Sequence, residues 1–169
     1  MPRSTANALA GSQLLLRVLI VLNILAGVFV LGLLIASFVA EPLLVEGLGM
    51  EPGGGVPAPI AAMRAIMLNG IAATPITHIL LARLLQIVRT VGSGDPFIAL
   101  NAVRLRICAW AILALEILHL AVGAIYAVLP FKLGWSFSPT GLLAALLLFV
   151  LAQVFTRGAA MRDDLEGTV

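Results

Sequence analysis

An all-α, polytopic membrane protein is what this sequence predicts: four transmembrane helices in one bundle, residues 1–169 forming a single domain with both termini cytoplasmic. Three observations lead there. The chain is 62% hydrophobic and only 11% charged, with a mean hydropathy of +1.14; soluble chains carry about a quarter charged residues. Its few charges bound four apolar runs, each long enough to cross about 30 Å of hydrocarbon. Finally, Arg3, Arg17, Arg83, Arg89, Arg104, Arg106, Arg157 and Arg162 fall on one side of those runs, and only Arg64 and Lys132 on the other. Basic residues accumulate on the cytoplasmic side, so the asymmetry sets the orientation.

The elements follow in order. Residues 1–13 are small and polar and read as a poorly ordered cytoplasmic tail. The uncharged run after Arg17 gives a first span near 18–40; it is too long for a signal-peptide core. Glu41 to Pro59 contains PGGGVPAP and no Lys or Arg, the composition of a flexible outer loop. A second span, near 65–88, contains Pro75, which removes a backbone donor and is expected to bend the helix. Gly92-Ser93-Gly94 stops it. Asp95-Pro96 then reads as an N-cap with proline at the first helical position. The third span is expected near 107–129 and the fourth near 136–156, joined by an outer turn in which Trp135 is an interface anchor.

Composition also excludes. A formal charge of +2 is too small to argue for direct nucleic-acid binding. Lone Cys108 forms no intrachain disulfide and has no metal-ligand spacing around it. No Walker loop, nucleophile elbow or H-E-x-x-H is present, so no catalytic residue, metal site or cofactor is expected.

Chemistry inside the spans rests on three groups. His78, Glu116 and His119 are placed near mid-membrane by a rise of about 1.5 Å per residue. Glu116 and His119 share a face. The stripes around them, Gly70-Thr74-His78-Ala82 and Ala109-Ile112-Glu116-His119-Gly123-Tyr126, contain small residues that let backbones approach, so the two faces are expected to meet. The leading reading of this cluster is hydrogen-bonded glue between helices. Behind it stand a proton- or ligand-sensing site, then haem or metal ligation. Asn23, Gln153 and Cys108 read as packing residues.

Two stretches carry a resemblance. Gly94, Asp95, Pro96, Phe97, Asn101 and Arg104 form one; Gly158, Ala159, Arg162 and Asp164 to Val169 form the other. Together they resemble a bacterial and archaeal family of small four-helix membrane proteins of unknown function. Members of that family are often encoded beside a Cro/CI-type helix-turn-helix repressor, so the resemblance implies a cytoplasmic transcriptional regulator as partner. The expected function is thus a non-enzymatic regulatory or sensory protein of the inner membrane. Its partner surface is expected at Asp95, Phe97, Asn101, Arg104, Arg162, Asp163, Asp164 and Glu166, with the acidic tail latched under the inner arginines. The other partners expected are the lipid bilayer and further copies of the chain in a homo-oligomer. The alternative is a haem-binding or proton-coupled redox protein using the intramembrane His and Glu.

Overall fold

The computed structural model describes residues 3–47, 58–94, 96–128, 136 and 138–166. Within them the chain is helical: α1 (Arg3–Val39), α2 (Glu41–Gly47), α3 (Ala58–Gly92), α4 (Ala99–Val128) and α5 (Thr140–Glu166). Helices α1, α3, α4 and α5 are each long and apolar enough to cross a membrane, the pattern of a multi-pass membrane protein.

Several boundaries differ from expectation. Residues 3–13 are the first turns of α1 and not a loose tail. Nothing in that stretch forces a stop, and Gln13 reaches the far end of α3, where a Cβ on Gly92 would lie 3.6 Å from its Nε2. The expected loop between the first two spans opens with α2, whose Pro42 sits in the first turn, where no intrahelical donor is lost; residues 48–57 lie outside the described residues. Pro75 lies inside α3, as expected of a residue that would bend the span without ending it. The helix after the Gly-Ser-Gly stop begins at Ala99 and not Pro96, then merges directly into the third span. Asp95 and Trp135 lie outside the described residues. Helix α5 remains helical through Glu166, so the acidic residues prolong it; the side chains of Asp163, Asp164 and Glu166 also lie outside the described residues.

The single bundle expected from sequence is realised as an open row. Helix α1 packs on α3, α3 on α4 and α4 on α5, while α1 and α5 do not pack along one another. Each contact is antiparallel, as the pairs show. Ser37 meets Arg64 while Gly27 meets Thr74. Asn69 meets Leu118 while Thr90 meets Asn101. Trp110 meets Phe149 while Phe97 meets Phe155. The start of α1 and the end of α5 therefore lie at one end, together with Arg17, Arg83, Arg89, Arg104, Arg106, Arg157 and Arg162. With neighbours on one side only, α1 buries little beyond Leu34 and Ser37, and residues such as Leu25, Val28 and Phe29 stay exposed. In lipid such surface costs nothing, because acyl chains are as apolar as leucine.

Helices α1 and α3 are locked at the end opposite the arginines. Arg64 Nη2 donates to the Ser37 carbonyl at 2.5 Å and to Glu41 Oε2 at 2.7 Å, and Nε donates to Ser37 Oγ at 3.2 Å. Its guanidinium also sits 3.9 Å from the centre of the Phe38 ring. A buried cation is tolerable only when paired and hydrogen-bonded in this way.

Candidate functional site

At the arginine-rich end, a polar knot joins α3 to α4. Asn101 stands in the first turn of α4 and is wholly buried. Its amide donates to Thr90 Oγ1 and to the Pro96 carbonyl, each at 2.9 Å. Its Oδ1 accepts from Arg104 Nη1 at 2.9 Å. Arg104 lies one turn further along α4, the i,i+3 spacing that puts both side chains on one face. Across the contact, Arg83 Nη1 donates to Gln86 Oε1 at 3.0 Å. Two guanidinium groups thus share the Gln86 neighbourhood, and buried Arg104 Nε has no hydrogen-bond partner.

Phe97 sits just outside this knot. Its ring lies 5.1 Å from that of Phe155, and a Cβ on Gly158 would come within 3.1 Å of it. The turn between α3 and α4 is therefore clamped to α5 as well, while Phe97 remains 45% exposed. Of the expected partner surface, Phe97 and Arg162 are exposed. Asn101 is interior and Arg104 is part-buried, both used within the protein.

The mid-membrane groups are arranged differently from the expected meeting of two stripes. The α3 stripe faces α1: Thr74 packs on Gly27 and its carbonyl accepts from Asn23 Nδ2 at 3.0 Å, while His78 lines the groove between these helices. Glu116 faces α5, its carboxyl lying where a Cβ on Gly141 would stand. The α3–α4 contact uses the neighbouring faces instead, through Asn69, Leu80 and Gln86. A turn of 100° per residue is enough to exchange one face for the other.

The α3–α4 register places His78 level with Trp110, about 9 Å along the axis from Glu116 and about 13 Å from His119. The two imidazoles do not face one another across a common point. His78 Nδ1 and Glu116 Oε1 are both buried without a hydrogen-bond partner. Among the described residues no three His, Cys, Asp or Glu side chains form a group able to hold a metal ion.

Cys108 and Asn23 pack as expected. Cys108 is wholly buried, with Sγ 3.9 Å from the Leu80 carbonyl. Gln153 does not: it is exposed on α5 and makes no hydrogen bond among the described residues. Sequence reading missed the Arg64–Ser37–Glu41 lock, although opposite charges at the two ends of one loop were a usable signal. It also missed the inward use of Asn101, for which the i,i+3 pairing with Arg104 was the clue.

Among known proteins, the family described as "Protein of unknown function (DUF2975)" matches residues 54–169. No curated protein and no solved structure matches. The matched region holds α3, α4 and α5, and with them the Asn101 knot, the Phe97 clamp and Glu116. With most of its length covered, this chain belongs to that family of proteins of unknown function.

Proposed function

We propose that this protein is a non-enzymatic regulatory partner in the plasma membrane. Its arginine-rich end, on the cytoplasmic side by the positive-inside rule, would receive an acidic surface of a cytoplasmic protein such as a helix-turn-helix regulator. One observation supports the reading above others: this end carries positive charge that no described residue neutralises. Arg17, Arg89 and Arg157 are exposed and make no hydrogen bond or ion pair among the described residues. At the same end lies Phe97, an exposed aromatic on a turn that the Asn101 knot holds rigid. Aromatic and arginine side chains on a preorganised base are the usual anchors of protein interfaces.

Co-expression of the full chain with a tagged helix-turn-helix regulator of the Cro/CI type, followed by capture in mild detergent, tests the reading. Arg89→Glu and Phe97→Ser are each expected to reduce capture about tenfold or more, the scale of a lost interface anchor. Arg89→Lys should retain most of it. If the wild-type protein captures no regulator, or Arg89→Glu captures as much as wild type, the partner reading fails.

A second reading has its own observation. Buried, unpartnered His78 Nδ1 and Glu116 Oε1 are the kind of groups that proton-responsive membrane proteins carry. Glu116→Gln is then expected to remove proton uptake by the protein reconstituted in vesicles under an imposed pH gradient. Uptake unchanged in that variant ends this reading. A Soret absorption in the purified protein would assign haem instead.

A further inference from the structure

The contact between α4 and α5 opens, near the arginine-rich end, into a groove of about 390 Å³. Its walls are two helix faces of one pattern, positions 99, 102, 103 and 106 of α4 and 149, 152, 153 and 156 of α5. Each is an i, i+3, i+4, i+7 stripe. Alanines at 102 and 152 make a shallow apolar floor, and both are buried. Toward the membrane centre, Trp110 packs edge-on against Phe149, with ring centroids 5.3 Å apart, and closes that end.

Two polar side chains stand over the floor with no partner among the described residues. Arg106 is exposed and makes no hydrogen bond or ion pair among the described residues; Gln153 on the facing helix is likewise unengaged. In the α4–α5 register Gln153 lies level with positions 104 to 106 of α4, beside Arg106. Thr156 Oγ1 is already committed to the Ala152 carbonyl at 2.9 Å and offers no proton. The groove therefore presents a fixed cation and an amide donor at one end and hydrocarbon at the other. The larger α1–α3 groove, about 580 Å³, has no charged group in its lining.

We propose that the α4–α5 groove is a binding site for one anionic phospholipid. Its phosphate oxygens accept hydrogen bonds from Arg106 and Gln153, and an acyl chain lies over Ala102 and Ala152 toward Phe149. Charge complementarity selects the head group. The bilayer supplies the chain, and basic pockets between membrane helices are where such lipids are held. Arg106 snorkels, its methylenes on the apolar wall and its guanidinium at headgroup level. This site needs no protein partner and does not include Arg89 or Phe97, so it stands whether or not the regulatory reading holds.

Native mass spectrometry of the full-length protein in detergent tests it, with phosphatidylglycerol or phosphatidylcholine of matched chains added. One phosphatidylglycerol should be retained in preference to phosphatidylcholine. Arg106→Gln should weaken that retention about tenfold, the loss expected for a charge-assisted hydrogen bond. Val103→Phe fills the groove without changing charge and should also release the lipid. Arg89→Gln, outside the groove, should leave retention unchanged, and thermal unfolding of each variant confirms that it is folded. Equal retention of phosphatidylcholine overturns the proposal, as does an equal loss in Arg89→Gln, which would mean diffuse attraction. Inorganic phosphate that protects the protein as well as the lipid does would make this a soluble-anion site, and overturns it too.

Discussion

Replacing Asn101 with leucine is expected to destabilise the protein by about 2–4 kcal/mol. The substitution is close to isosteric, so packing changes little and the loss is polar. It strips a partner from each of Thr90, Arg104 and the Pro96 carbonyl. Hydrogen bonds between membrane helices average only about 0.6 kcal/mol when water or another group can substitute. Asn101 is wholly buried, so water cannot, and the larger penalty for stranded groups applies. Asn101→Asp should fall between, because a carboxylate still accepts from Arg104 and Thr90 but cannot donate to Pro96. Denaturant titration in detergent micelles measures the series. A loss below about 0.5 kcal/mol for leucine, the range of ordinary surface changes, would show that the knot does not hold this turn.

Gly27→Ala is the second large effect, with an expected cost of about 1–3 kcal/mol. A Cβ there would lie 2.6 Å from Thr74 Cγ2 and 3.0 Å from its Oγ1. Thr74 cannot easily turn away, because it is β-branched and its hydroxyl donates to the Gly70 carbonyl at 3.0 Å. The helices must separate, and Asn23, one turn before Gly27, then loses its bond to the Thr74 carbonyl. Thr74→Ser removes the closer of the two clashing atoms, so the double variant should recover most of the loss. Failure of that rescue would mean the α1–α3 spacing is set elsewhere. By contrast, Gly141→Ala meets only the flexible end of Glu116 and should cost much less.

The four spans were legible because their signal is length and apolarity, and both are local. The grouping of arginines at one end was legible for the same reason. Rotation about each helix axis was not. A soluble helix shows its inner face as an apolar stripe, but α1 and α5 are apolar all round, and lipid gives no preference to either side. The Gly70-Thr74-His78 stripe was identified correctly as a close-packing face, yet nothing in it says whether α1 or α4 fills it. Depth counted from charged ends failed in a similar way. Helices α3 and α4 run on past the arginines taken as the ends of their spans, so positions estimated from separate ends shift by several residues against the true register. Asn101 and Gln153 were misjudged in opposite directions: the polar residue beside a turn is buried, and the one inside a span faces out.

A row in which each long helix packs only on the next one in the chain has a consequence for biogenesis. When α3 enters the bilayer, α1 is already there to receive it; α4 then meets α3, and α5 meets α4. After α1, each long helix finds its first partner already in place, and no contact requires the chain ends to find each other across the membrane. Such near-neighbour topologies close only short loops and fold fast. Synthesis and assembly can therefore proceed in step, with each newly made hairpin settled before the next emerges from the ribosome.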